Sequence, residues 1–82
     1  MLLEPTEYGT HIVFVERPAP ASYKTKIWSV ENRHGDGFLG DVRWYVPWRC
    51  YSFYPATACV FEKVCLREIA DFCDRKTKEH KA

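Results

Sequence analysis

The spacing of apolar positions changes character along the chain. From Phe38 to Val46 it alternates, with Phe38, Val42, Trp44 and Val46 on one side and Leu39, Asp41, Arg43 and Tyr45 on the other, the period of an extended strand with two different faces. Upstream, Ile27, Trp28 and Val30 are apolar among polar neighbours and predict a strand over Lys24–Glu31, while Ile12-Val-Phe-Val15 predicts a short first strand over residues 11–16. That first run stops at Arg17-Pro-Ala-Pro20, whose prolines remove backbone donors. Pro47-Trp-Arg49 interrupts the later alternation, and a fourth strand runs from Cys50 to Tyr54, ending at Pro55. Asn32-Arg-His-Gly-Asp-Gly37, between the second and third strands, has the glycines and side-chain carbonyls of a hairpin turn.

The period then lengthens to that of a helix. Cys65, Leu66, Ile69, Ala70, Phe72 and Cys73 recur at spacings of three and four, and Arg67, Glu68, Asp71, Asp74, Arg75 and Lys78 take the other side, so a helix is expected over Lys63–Lys78. Opposite charges four apart at Arg67/Asp71, Asp71/Arg75, Asp74/Lys78 and Arg75/Glu79 support it by a few tenths of a kcal/mol each. Glu62 lies near the positive end of the helix dipole, and Arg75, Lys76 and Lys78 near its negative end. Residues 1–10, polar with Pro5 and Gly9, read as an irregular arm, residues 11–79 as a single α+β domain, and residues 80–82 as a frayed tail. Short connections require antiparallel neighbours, so the expected fold is a four-stranded antiparallel sheet, β-β-β-β, with one C-terminal amphipathic helix packed on one face.

Composition sharpens the question of what fills that core. The chain has 82 residues, of which thirteen are aromatic, three Trp, five Tyr and five Phe. A domain this small is short of buried volume and must use it densely. Trp28, Phe38, Trp44, Tyr51, Phe53 and Phe72 are the expected core of sheet and helix. Arg43, Tyr45 and Tyr54, with Trp48 and Arg49 at the turn, fall on the opposite face or its edge, where no second helix covers them. These five are the candidate binding residues.

Three readings of that face follow from its chemistry. Aromatic rings and arginines hold protein partners, and a second copy through the same open face is a version of this. They also stack the bases and hold the phosphates of nucleic acid or nucleotides. The plain alternative is a solvated sheet face with wet hydroxyl and guanidinium groups. Charge favours the first over the second, because 12 basic side chains against 11 acidic ones leave a formal charge of only +1. What basic excess there is lies in the middle, where residues 23–54 carry a net +2.

Catalytic, metal and cofactor sites are not expected. His34-Gly-Asp-Gly37 holds a base and an orienting carboxylate, but no nucleophile motif, phosphate loop or metalloprotease helix accompanies it, and a hairpin turn explains it more simply. Cys50, Cys59, Cys65 and Cys73 are spaced C-x8-C, C-x5-C and C-x7-C, with no C-x2-C knuckle for zinc. Reduced, mostly packing cysteines are the favoured reading. At Cys65 the helix dipole would lower the thiol pKa, yet the apolar stripe on which it lies favours packing. No apolar run approaches the length of a membrane span, and the N-terminus lacks the pattern of a secretory signal, so a cytoplasmic location without membrane contact is expected.

Leu39-Gly-Asp-Val-Arg-Trp-Tyr-Val-Pro-Trp-Arg-Cys-Tyr-Ser-Phe-Tyr-Pro55, followed by Cys65-Leu-Arg-Glu-Ile-Ala-Asp-Phe72, resembles a group of small uncharacterised phage, prophage and bacterial proteins. Their pattern is L-G-x-[IV]-x-W-Y-x-x-W-R-x-Y-x-F-x-P, then C-L-x-E-I-A-x-F. The match covers about residues 24–75 and leaves out the strand at 11–16. The resemblance implies a phage or prophage origin and a sheet with a C-terminal helix; it implies no activity and no site. The expected function is a small non-enzymatic phage or prophage accessory protein that binds another protein, inhibition of a bacterial defence system being one form of this. The alternative is a nucleic-acid or nucleotide-binding module using Arg43, Tyr45, Trp48, Arg49 and Tyr54.

Overall fold

The computed structural model describes residues 6–35 and 37–81. Five strands, β1 (Thr6–Tyr8), β2 (Ile12–Arg17), β3 (Ile27–Asn32), β4 (Phe38–Tyr45) and β5 (Cys50–Pro55), form one antiparallel sheet whose spatial order is their sequence order. A 3-10 turn, Val46–Trp48, joins β4 to β5, and the helix α1 (Lys63–Lys81) closes the chain. The α+β architecture is the one the hydrophobic pattern predicts, with one strand more than expected.

The additional strand lies in the stretch read as an irregular arm. Thr6–Tyr8 pairs with β2 through Tyr8↔Val13, Glu7↔Phe14 and Thr6↔Val15, and the Gly9 N–H donates to the Ile12 carbonyl at 2.7 Å to close the turn. Three residues are too few to show a period, which is why the pattern misses it. Residues 1–5 of the expected arm, Asp36 and Ala82 lie outside the described residues. The helix is likewise longer than expected, with His80 and Lys81 inside it and its basic last turn set against the negative end of the dipole.

One face of the sheet meets the helix. Ile12 and Phe14 of β2, Trp28 and Val30 of β3, Val42 of β4 and Tyr51 of β5 bury against Cys65, Ile69 and Phe72, with Trp44 and Phe53 partly covered beside them. Phe72 sits at the centre, its ring stacked on Phe14 at 4.0 Å and edge-on to Trp28 at 5.0 Å. Glu62 starts the helix by accepting the Cys65 N–H at 2.7 Å, satisfying one of the donors that a first turn leaves free.

Phe38, an expected core residue, and Val46, expected on the same side of the strand, are not core. Val30 pairs with Gly40, but Glu31 pairs with Phe38, so Leu39 is an extra residue in a β-bulge. One inserted residue exchanges the faces of everything before it. Phe38 therefore ends 53% exposed, and Leu39, expected on the far face, packs against the core instead. Gly40 permits the bulge: at φ 150° it occupies a conformation that side chains rarely adopt, and a Cβ there would lie 2.8 Å from the Phe53 ring. The second exception is Val46, 72% exposed because Pro47 diverts the chain into the 3-10 turn before Val46 can reach the sheet.

The helix also seals an edge. The Tyr51 N–H points away from β4 and donates to Thr77 Oγ1 at 2.9 Å, and Thr77 in turn donates to the Cys73 carbonyl at 2.7 Å. An edge strand with a satisfied outward donor is a poorer template for another chain. At the other edge, Glu7 of β1 pairs with Lys76 at 2.8 Å and with Arg75 at 3.1 Å. Arg75 also keeps its expected Asp71 partner and Lys78 its Asp74, while Glu79 pairs with Lys76 rather than Arg75.

Truncating Phe72 to Ala is expected to cost about 3–5 kcal/mol, measured by denaturant unfolding, because it empties the centre of the core. The Glu7 pairs give a pH dependence. Partial burial works to raise the Glu7 pKa, but hydrogen bonds from Lys76 and Arg75 and their charges outweigh it and hold it below the usual 4.5. Desolvation likewise works to lower the Lys76 pKa, and hydrogen bonds with Glu7 and Glu79 hold it above the usual 10.5. Glu7 thus stabilises the fold fully above pH 4.5 and loses that contribution as pH falls through its lower folded value; Lys76 contributes fully below pH 10.5 and loses it as pH rises through its higher one. The stability gap between wild type and Glu7→Gln should close at the acid end, and at the alkaline end narrow by only the part that Lys76 contributes, because Arg75 stays charged and paired with Glu7.

Candidate functional site

The sheet face turned away from the helix is not uniformly open. Ser29 and Val13 point to that side, yet are only 3% and 9% exposed. Ser29 lies beneath an ion pair: Arg17 Nε donates to its Oγ at 3.0 Å, its hydroxyl donates to Glu31 Oε2 at 2.8 Å, and Arg17 pairs with Glu31 directly. Val13 lies opposite Tyr8, over whose ring the Arg33 guanidinium rests at 5.2 Å. Side chains of β1 to β3 thus roof their own half of the sheet.

The half formed by β4, the 3-10 turn and β5 carries a cluster of aromatic rings. Tyr45 stands in its middle, edge-on to Trp48 at 4.8 Å and to Tyr54 at 6.3 Å. Arg43 extends over the Tyr54 ring at 5.4 Å and pairs with Asp41 at 2.9 Å. Register explains the grouping, since Asp41↔Tyr54 and Tyr45↔Cys50 place neighbouring residues of the two strands on the same face. Trp48 projects from the turn and is 72% exposed.

The turn holds Trp48 through its backbone. Pro47 pre-sets the φ of the 3-10 segment, and Arg49 closes it in the left-handed conformation, φ 53° and ψ 46°, with its N–H donating to the Tyr45 carbonyl at 2.9 Å. Of the five residues expected to form the site, Arg43, Tyr45, Trp48 and Tyr54 come together. Arg49 is at the same turn, but among the described residues its side chain makes no hydrogen bond or ion pair, and its evident part is conformational. Asp41 is the member sequence reasoning passed over as a site residue, although its place two residues from Arg43 on one strand puts both carboxylate and guanidinium on one face.

The other sequence candidates have structural explanations. His34 lies in the hairpin turn, its N–H donating to Asn32 Oδ1 at 3.0 Å and its ring 3.2 Å from the Thr10 carbonyl. All four cysteines are free. Burial, with the neighbouring Glu62 adding to it, raises the Cys65 pKa, and burial pushes the Cys73 thiol up to about 11, so both are protonated thiols rather than nucleophiles at neutral pH. Among the described residues, no group of three or more His, Cys, Asp or Glu side chains is placed to hold a metal, and no helix is long and apolar enough to cross a membrane. A cleft of about 290 Å³ beside the last turns of α1 is lined by Lys24, Lys26, Lys76 and His80, but Glu16 and Glu79 pair with two of the lysines there.

No family model matches the chain, and no solved structure matches it. The uncharacterised 9.3 kDa protein of Acholeplasma phage L2 is 30% identical to it over 81 residues, which is 99% of each chain.

A substitution separates the conformational part of Arg49 from any part its side chain has. Glycine takes the left-handed conformation without the Cβ clash that costs an L-residue about 1–2 kcal/mol. Arg49→Gly should therefore fold at least as stably as wild type, by thermal unfolding, whereas Arg49→Val should lose about 1 kcal/mol or more.

Proposed function

Because the chain belongs to the family of the small 9.3 kDa protein of Acholeplasma phage L2, we propose that it is a phage or prophage accessory protein without catalytic activity, which acts by binding another protein through the Tyr45, Trp48 and Tyr54 corner. The observation that carries this reading is the indole of Trp48, 72% exposed on a turn whose backbone is already fixed. A large amphipathic ring held in place before binding loses little conformational freedom on contact, and such rings dominate the energetics of interfaces.

The arginines argue against the nucleic-acid alternative. Arg43 is paired with Asp41 and Arg17 with Glu31, so a phosphate would have to displace carboxylates already in place. Affinity for a polyanion rests on unpaired basic charge, and two of the arginines on this face are already neutralised by carboxylates. A small protein with no reaction chemistry acts stoichiometrically, by occupying a surface that its target needs, and a component of bacterial defence is the target class we favour.

Immobilised protein should retain a host or phage protein from extract, and Trp48→Ala should reduce that retention at least tenfold while Leu66→Ala, on the exposed helix face, leaves it unchanged. Equal retention by all three, or retention abolished by nuclease, would sink the reading.

A further inference from the structure

The cleft beside the last turns of α1 holds polar chemistry that the fold does not use. Its floor is Trp28 and Tyr51, 4% and 5% exposed, and His80, whose ring packs on Trp44 at 4.6 Å, closes one side. The volume, about 290 Å³, lies at the small end of small-molecule sites, which start at about 300 Å³. One compact organic molecule fits; a protein surface does not.

The floor presents a donor. Tyr51 Oη accepts the Lys26 N–H at 3.1 Å, which pins the phenol oxygen at the Lys26 backbone. A hydroxyl that accepts through a lone pair keeps its proton for donation, and among the described residues no acceptor receives it. A side chain more than nine-tenths buried therefore lines the cleft with a donor still to be used.

The ammonium groups around it are unequally engaged. Lys76, its side chain 14% exposed and resting over Trp28, is held by two carboxylates, Glu7 at 2.8 Å and Glu79 at 3.3 Å. Lys26 lies 3.8 Å from Glu16, beyond hydrogen-bond reach, and Lys24 has no ion pair among the described residues. Lys24 and Lys26 set against Glu16 leave one positive charge on the same lining as the Tyr51 hydroxyl.

That balance selects the ligand. A dianion such as phosphate overshoots it and a cation opposes it, whereas a monoanion matches it. The aromatic walls add apolar surface that an inorganic ion leaves uncovered. We infer that the cleft binds a small organic carboxylate, one oxygen accepting from the Tyr51 hydroxyl, its charge met by Lys24 and Lys26, and its apolar body set against Trp28 and His80. A hydrogen bond to an ionised acceptor in a half-enclosed site is stronger than the same bond in water. The site is separate from the Trp48 corner and stands whether or not that corner holds a protein.

The test is titration of the isotopically labelled protein with sodium benzoate and separately, at equal ionic strength, with benzamide and with sodium phosphate. Benzoate should give saturable shifts of the amides of residues 24–28 and 51 and of the Trp28 indole resonance, and benzamide should shift them only weakly. Tyr51→Phe should weaken benzoate binding about tenfold, the loss of a hydrogen bond to a charged group, and Lys24→Gln about threefold, the loss of an exposed charge. Lys24 is exposed, so that variant stays folded whatever the other does to the core. Absence of saturation at millimolar benzoate in a folded spectrum overturns the inference. Equal responses to benzamide, saturation by phosphate alone, or an affinity that neither substitution lowers overturn it as well.

Discussion

Phe72 docks the helix, and much of the molecule is arranged around that contact. Its ring lies flat on Phe14 and edge-on to Trp28, so one side chain bridges α1 to both β2 and β3. Arg75 and Lys76, from the next turn, rest their cations over the same ring at 5.5 and 5.3 Å, and Lys76 also rests over Trp28. Both then reach Glu7. The stack therefore sets not only the burial of the core but the position of the charges that fasten β1, the shortest strand. A small domain concentrates its energetics in this way because it has few fully buried side chains to share the task.

One helix covers one face of a five-stranded sheet, and the opposite face must be made compatible with water by other means. Over β1 to β3 the solution is local: an ion pair over Ser29, and a tyrosine with a guanidinium beside Val13. Over β4 and β5 the same devices recur, Arg43 paired with Asp41 and lying over Tyr54, with Tyr45 half-buried between Tyr54 and Trp48, while the Trp48 ring projects from the turn, 72% exposed. The indole exposed on a turn of fixed backbone gives the corner its functional interest.

The sheet was largely legible in the alternation of residues 41–45, which places Val42 and Trp44 inward and Asp41, Arg43 and Tyr45 outward. The same alternation misplaced Phe38 and Leu39, because a bulge adds a residue without altering the apolar count, and only Gly40 marks its presence in the chain. Pro47 signalled the end of β4, although its effect on Val46 depended on the 3-10 turn that forms there. The members of the site followed from parity and the turn. The roofing of Ser29 and Val13 did not, since it depends on cross-strand register, Val15 opposite Ser29 and Val13 opposite Glu31, which no single segment encodes. The five-stranded order itself is the simplest outcome of short connections, each strand pairing with the one just made.

That order bears on how the chain assembles during synthesis. Each of the strand pairings joins neighbours in sequence, so the sheet can zip up progressively as residues emerge. Its first strand is the exception in one respect. The Glu7 carboxylate waits for Arg75 and Lys76, and the Thr10 N–H waits for Glu68, across separations of 68 residues for Glu7 and Arg75 and 58 for Thr10 and Glu68. Contacts of such separation can form only once α1 is available, and until the helix docks, a paired sheet has an uncovered apolar floor.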